Sequence, residues 1–383
     1  MAFLRKRFLI EFMNKHNNLN VENMKKDVVS SLKVLVVLIV AVCLVECKKS
    51  PDKILDECGP GVVMIMNQYY YKITLPTGKE WFFTGFDKDG DMENFTFDQD
   101  EILKNKAVLT GTGFFIGDDG RILTNRHVAA PAIDFTDAKH SVKNAMAALK
   151  QMVQTEMQQL SDRYDELEAS KSDCMGIDEW GNYVYDQDRL GEIAQEQEQL
   201  SEAYQTDLNV VGQIDNIDVS EIKVEAVCDV SVAYNNTFVT KASDFASCVV
   251  TAVSDKDDVD LAILQLKTKK TPETAHVFQI ASADDEGELK EGDKLFMIGF
   301  NAGFALSNTS QGIKAQITSG TVSQASDNSK IMYTIPALPG SSGSPVVDEY
   351  GELAAVNFAG VSTTQSFNYG IRLKKVRQFV DNN

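Results

Sequence analysis

One stretch of the chain is dense in groups able to do acyl-transfer chemistry: Pro339-Gly340-Ser341-Ser342-Gly343-Ser344-Pro345. A nucleophilic serine needs an exposed hydroxyl on a tight turn, with backbone N–H groups nearby to hold the oxyanion of a tetrahedral intermediate. Glycines on either side of Ser342, at Gly340 and Gly343, permit that close backbone approach. The N–H groups of Gly340 and Ser342 are then the oxyanion-hole candidates. On its own, a Gly/Ser-rich turn is more often only a turn, and its partners decide the matter.

Serine attacks only when a base takes its proton, and the histidines are His16, His127, His140 and His276. His16 precedes the apolar N-terminal run, His140 opens a helical segment, and His276 lies in a polar loop after Thr271-Pro272. His127 alone stands at the end of a glycine-punctuated pair of strand-like runs, Gly111 to Ile116 and then Ile122 to Val128. The imidazole in turn requires a buried carboxylate to fix its tautomer. Asp255, Asp257, Asp258 and Asp260 share one turn, and Asp260 directly opens the apolar run Leu261 to Leu264, so it is the one expected to point inward. The triad read from the chain is His127, Asp260 and Ser342, in that order.

The elements that must position these groups are mainly strands. Gly61 to Thr124 carries β-branched and aromatic runs at 62–71, 79–86, 107–116 and 121–124. Asp87 to Asp91 reads as a hairpin turn between them, because its glycine is misplaced for a calcium loop. After Glu221 further strands are predicted, including 222–234, 238–240, 248–253, 261–266, 295–298, 315–322, 331–335, 345–347 and 353–357, with a short helix near 374–380. Between the two strand-rich parts the period changes. Val142, Met146, Leu149, Val153, Met157, Leu160, Tyr164 and Leu167, then Leu190, Ile193, Gln197, Leu200, Tyr204, Leu208 and Val211, recur at spacings of three and four. That predicts an antiparallel helical hairpin inserted over 134–221, with a loop over 170–186 and its tip at Trp180-Gly181-Asn182. Emerging soon after His127, it is expected to lie over or beside the cleft and gate it.

The insertion is also where the charge lies. The 383-residue chain has net charge −19, and residues 134–221 hold 20 Asp and Glu against 6 Lys and Arg, or −14. Nucleic acid is thereby excluded as a partner. No Cys-x-x-Cys or Cys/His cluster points to a metal, and no cofactor is called for. Of the six cysteines, Cys228 and Cys248 sit close together in strand-like sequence and are the pair best suited to a disulfide, with free buried thiols as the alternative.

Residues 1–50 read as an export signal or anchor. Arg5, Lys6, Arg7, Lys25, Lys26 and Lys33 precede an apolar run from Val34 to Val45, too short to span a bilayer. Leu44-Val45-Glu46-Cys47 resembles a bacterial lipoprotein signal, although Glu46 stands where a small residue is usual. Lipidation at Cys47, an uncleaved anchor or a cleaved secretory signal are the alternatives, and each places the protein in or beyond a bacterial cell envelope.

Four separated motifs together resemble the trypsin-like, chymotrypsin-fold serine peptidases, nearest the bacterial HtrA (high-temperature-requirement) or Deg-type branch. They are Gly111-Thr112-Gly113-Phe114 with Leu123 to Val128, Asp260 to Leu264, Gly292-Asp293 with Ile298-Gly299-Phe300, and Pro339 to Pro345 with Gly351-Glu352-Leu353. Ser344 before Pro345 is similar to the glutamyl-endopeptidase form of the serine motif. The resemblance covers 61–380 apart from the insertion. It implies a mainly β peptidase domain over 51–383, two six-stranded antiparallel barrels with the triad between them, and serine endopeptidase activity on protein or peptide substrates. The PDZ domains that follow the catalytic unit in HtrA peptidases are expected to have no counterpart here, since the sequence stops soon after Val380.

The same resemblance puts the walls of the P1 pocket at Pro336, Ala337, Leu338, Asn357, Phe358, Ala359, Gly360 and Gly370. No Asp or Glu lies among 336–339, 357–360 or 367–370, so a small or medium uncharged P1 side chain is expected rather than Lys or Arg. A competing reading is a catalytically silent peptidase fold that binds partners through the acidic hairpin. The presence of all three catalytic side chains argues against it.

Overall fold

The computed structural model describes residues 48–133, 135–256, 258–282, 289–324, 329–360 and 367–383. Residues 1–47, which hold Cys47 and most of the expected export signal or anchor, lie outside the described residues. Among those described, no helix is long and apolar enough to cross a membrane. In chain order the first elements are α1 (Pro51–Cys58), β1 (Val62–Thr74), β2 (Glu80–Phe83), β3 (Gly85–Phe86), β4 (Met92–Glu93), β5 (Ala107–Phe115) and β6 (Arg121–Thr124). They are followed by α2 (Arg126–Ala129), α3 (Phe135–Ser170), β7 (Met175–Ile177), β8 (Tyr183–Tyr185) and α4 (Gln187–Asp215). Strands β9 (Lys223–Tyr234), β10 (Ala246–Val253) and β11 (Ala262–Leu266) complete the first half.

Strands β1, β5, β6, β11, β10 and β9 pair in that order, and β9 returns to β1 to close a six-stranded antiparallel barrel. The alternation of side chains along a strand explains why β1 begins with an unbroken apolar run. Val63 and Ile65 point into the barrel with Phe115, Ile122 and Leu264, while Val62, Met64 and Met66 point out of it into a second core.

That second core is shared. The other half supplies β12 (Lys294–Gly299), the ribbon β13 (Asn308–Thr309) and β14 (Gly312–Ile313), then β15 (Gln316–Gln324), β16 (Lys330–Tyr333), β17 (Pro345–Val347), β18 (Leu353–Gly360), β19 (Asn368–Arg372) and α5 (Leu373–Asp381). Strands β12, β15, β16, β19, β18 and β17 form a second closed antiparallel barrel. Leu295 and Met297 fill its interior; Phe296 and Ile298, one residue out of phase, face the first barrel's Val62, Met64 and Phe114. Two closed six-stranded barrels pressed together are therefore written into the two faces of β1 and β12.

The insertion is a helical hairpin, α3 packed along α4, with Arg163 paired to Glu196 and Lys150 to Asp215 across it. Its root is seated on an extension of the first barrel. Beyond Tyr69, β1 loses β5 as a neighbour and gains β2, and Tyr71, Ile73, Trp81 and Phe83 of this extension bury Ala138, Val142 and Met146 of α3. At the far end the structure departs from the expected loop. Met175 to Ile177 pairs with Tyr183 to Tyr185 as a small β-hairpin, because alternating apolar residues flank a turn closed by Asp178 and Gly181.

Two other expectations are corrected. Residues 238–240 are not a strand. Cys228 and Cys248 are free thiols: the register that sets Ser231 opposite Ser247 leaves them two positions out of step. Burial pushes the Cys248 thiol up to about 12.

Candidate active site

The site forms where β5, β6 and α2 of the first barrel meet the 336–344 loop of the second. His127 lies in α2, a single turn that starts at Asn125, directly after β6. Asn125 is buried and donates from Nδ2 to the Asp260 carbonyl at 2.8 Å, tying the start of this turn to the segment just before β11. Asn67 of β1 donates to the carbonyls of Val128 and Ala129, which fixes the end of the turn. The imidazole is thus carried on a short helix held at both ends.

Asp260 grips His127 twice. Its Oδ1 accepts the His127 backbone N–H at 3.0 Å and its Oδ2 meets Nδ1 at 2.6 Å, the length of a charge-assisted hydrogen bond. Burial pushes the Asp260 carboxyl up, but the hydrogen bond and charge of the His127 ring, its backbone N–H and nearby Arg126 together hold it below the ordinary carboxylate range. An ionised carboxylate accepting from Nδ1 leaves Nε2 as the free base nitrogen. The neighbouring aspartates are engaged elsewhere or solvated: Asp258 pairs with Lys375 at 3.2 Å, Asp255 is exposed, and Asp257 lies outside the described residues. His140 is exposed on α3, and His276 packs edge-on against Phe278. Neither shares a hydrogen bond with Asp260.

The serine loop is braced from the other barrel by Thr112. Its N–H donates to the Ser342 carbonyl and its hydroxyl to the Gly340 carbonyl, both at 2.8 Å, while the hydroxyl accepts the Phe300 N–H at 3.0 Å. Thr112 is fully buried and spans 228 residues of sequence to reach Gly340. A Cβ on Gly343 would stand 2.2 Å from the Thr112 carbonyl oxygen and 3.2 Å from the Asn125 nitrogen, so this glycine lets the serine loop close onto the turn that bears His127. Gly343 and Gly340 also adopt φ of +84° and +98°, where other residues are strained.

The three serines now separate. Ser341 is buried, and its hydroxyl and carbonyl accept from Asn357 Nδ2. Ser344 is buried with no hydrogen-bond partner for its hydroxyl. Ser342 is half-buried, and among the described residues its hydroxyl makes no hydrogen bond, to His127 or otherwise. Catalytic hydrogen bonds of this kind commonly tighten only when substrate is bound.

Backbone donors complete the site. The Ser341 N–H turns inward to the Leu338 carbonyl, and the Ala302 N–H holds the Pro339 carbonyl at 2.6 Å. In a planar trans peptide the Gly340 N–H must point opposite to that carbonyl, away from Ala302. Among the described residues neither the Gly340 nor the Ser342 N–H has an acceptor within the chain. A Cβ on Gly340 would lie 2.5 Å from the Phe300 carbonyl oxygen. Gly340→Ala is therefore expected to displace this peptide and lower kcat for a peptide substrate by about 10²–10³-fold, with a smaller change in KM. Steady-state kinetics of the folded variant checks it.

The residues named for the P1 pocket divide by what they touch. Pro336 is exposed, Ala337 and Leu338 are half-buried, and the Leu338 N–H is held by Asn301 Oδ1. Phe358 is half-buried with Lys330 Nζ 5.0 Å from its ring centre, and Gly370 backs onto Ala355 and Tyr333. Ala359 and Gly360 continue β18 beside β19. Asn357 is buried and turned into the protein, donating to Ser341 and accepting from the Tyr333 hydroxyl at 2.8 Å. It acts as a brace for the serine loop. Asn368, also buried, donates to the Ile335 carbonyl behind the 336–339 segment. The bracing roles of Thr112, Asn357 and Asn125 had no signal in the sequence beyond their places in short motifs.

The chain is similar in structure to the Rv3671c protease of M. tuberculosis in its active form, with 14% identity, 86% of this chain and 82% of that one covered, and a TM-score of 0.40. It is likewise similar to the serine endoprotease of Yersinia pestis, with 13% identity, coverage of 88% and 67%, and a TM-score of 0.40. No curated protein matches the chain by sequence. Residues 206–356 match the trypsin-like peptidase domain, a stretch that contains Asp260 and the serine loop and follows His127. The matched stretch takes in strands of both closed barrels, which meet at that loop.

Proposed function

We propose that the protein is a serine endopeptidase working through an acyl-enzyme. The observation that carries this reading is the 2.6 Å contact between Asp260 and His127 beside a serine loop whose Gly340 and Ser342 N–H groups are unclaimed among the described residues. Ser342 Oγ attacks the scissile carbonyl carbon as His127 Nε2 takes its proton. The two N–H groups receive the oxyanion. His127 then protonates the leaving amine, and water attacks the acyl-enzyme by the reverse path, with Asp260 stabilising the imidazolium throughout.

The lack of carboxylates along 336–339, 357–360 and 367–370 supports a small or medium uncharged P1 side chain. Digestion of a random peptide library, read by mass spectrometry, is expected to give cleavage after residues such as Ala, Val or Thr. Cleavage chiefly after Lys or Arg would overturn the specificity, and an intact library the peptidase reading itself. The basic N-terminal stretch and the apolar run to Val45 support action in the cell envelope or outside it, on protein or peptide substrates, with membrane attachment by a lipidated Cys47 or an anchor as one arrangement.

A further inference from the structure

The far end of the inserted hairpin carries an apolar surface that the peptidase chemistry does not use. β7 and β8 pair Met175 with Tyr185 and Ile177 with Tyr183, so these four side chains stand on one face of a two-stranded sheet. All are open to solvent: Met175 is 48% exposed, Ile177 67%, Tyr183 65% and Tyr185 55%. Trp180, at the turn, is 77% exposed. The turn is a built one. Asp178 Oδ1 accepts the N–H groups of Trp180 and Asn182 at 2.9 and 2.8 Å, and Gly181 takes a φ of +86°. Below it, Cys174 is buried with Leu167 and Ile193, which fixes the sheet on the helices.

The edges of this sheet are open as well. Among the described residues β7 and β8 pair only with each other. The Asp186 N–H donates to the Cys174 carbonyl and the Asp178 N–H to the Asn182 carbonyl, both at 2.9 Å, which identifies the pairs whose backbone groups face inward. In an antiparallel ladder the intervening pairs direct theirs outward. The outward N–H and C=O groups therefore belong to Met175, Ile177, Tyr183 and Tyr185, the residues of the apolar face; the Met175 N–H is taken by the Ser172 carbonyl, and the others have no partner among the described residues. An edge with free ladder groups and an apolar face is a template for an added strand.

Charge selects the occupant. Residues 171–189 hold Asp173, Asp178, Glu179, Asp186 and Asp188 against Lys171 and Arg189, on an insertion whose net charge is −14. A second copy would bring the same negative charge to the contact, and an anionic bilayer would repel it likewise. A strand with cationic flanks is attracted. We propose that the tip of the hairpin binds an extended, apolar polypeptide segment flanked by Lys or Arg, added to an edge of the β7–β8 sheet. This stands independently of the peptidase reading.

The chain supplies its own probe, because its two tryptophans are Trp180 and Trp81, and Trp81 is only 5% exposed. A synthetic peptide of alternating Val and Thr with lysines at both ends is titrated into the full chain bearing Ser342→Ala, which prevents cleavage. The expected result is a saturable blue shift of tryptophan emission that is absent in Trp180→Phe. Calorimetry is expected to show binding about tenfold weaker for the same peptide flanked by Glu, for a proline-interrupted version, and for the double variant Ile177→Ser, Tyr183→Ser. Both of those side chains are exposed, so the variant should melt as the parent does, and its melting curve is recorded alongside. Equal binding of the Lys- and Glu-flanked peptides, unchanged binding by the double variant, or no binding at all overturns the proposal. So does a blue shift obtained only with phosphatidylcholine or phosphatidylglycerol vesicles, or a dimer in sedimentation that the double variant abolishes.

Discussion

Ser342→Ala is expected to abolish labelling by an active-site-directed fluorophosphonate and to lower kcat for a peptide substrate by about 10⁴-fold or more, leaving the fold intact. The neighbouring serines provide the contrast. Ser344 Oγ is buried without a partner, so Ser344→Ala removes an unsatisfied hydroxyl and should retain labelling with stability unchanged or raised. Ser341→Ala should also be labelled, but more slowly, because Asn357 Nδ2 loses one of the two acceptors that hold the serine loop. Labelling that persists in Ser342→Ala and disappears in Ser341→Ala or Ser344→Ala would move the nucleophile. Labelling of Ser342→Ala equal to that of the parent would remove the catalytic reading altogether.

The contrast among these serines shows where sequence reasoning reaches and where it stops. Strand period is a local property, and the runs that became β1, β5, β6, β11, β12 and β18 were legible because β-branched and aromatic residues cluster between turns. The change to helical period over α3 and α4 was legible for the same reason. What local pattern cannot carry is the meaning of an uninterrupted apolar run. Val62 to Met66 reads only as buried strand, and its division between a barrel interior and an inter-barrel core follows from closure of the sheet onto β9.

Long-range braces are invisible for a related reason. Thr112 is one of many threonines in strands, and its hold on Gly340 exists only once two barrels meet and bring together residues 228 positions apart in sequence. Asn357 resembles a pocket residue when read along the chain, yet β18 turns its amide toward Ser341 and Tyr333. The small sheet at the hairpin tip was missed because its strands are three residues long and its turn is rich in polar residues, which read as loop. The unpaired Cys228 and Cys248 belong to the same class, since strand proximity in sequence does not fix register.

Asp260→Asn separates the roles of charge and position at the base. The asparagine can still accept the His127 backbone N–H, so the short helix α2 should remain in place. An amide N–H directed at Nδ1, however, selects the tautomer with its proton on Nε2, the nitrogen proposed above to receive the Ser342 proton. A fall of about 10⁴-fold in kcat is expected at neutral pH. The stability consequence has a definite pH sign. The folded Asp260 carboxyl titrates below its unfolded value, so its ionisation stabilises the native state at every pH above the ordinary carboxylate pKa, about 3.9, and that contribution fades as pH falls through the depressed folded value. The amide that replaces it has no proton to bind in this range. The gap in unfolding free energy between parent and variant should therefore narrow as pH falls below about 4, as read by denaturant titrations at several pH values. A gap that does not narrow below about pH 4 would mean that the Asp260 carboxyl is held protonated rather than ionised in the native site, and His127 would then lack the anion it needs as an imidazolium.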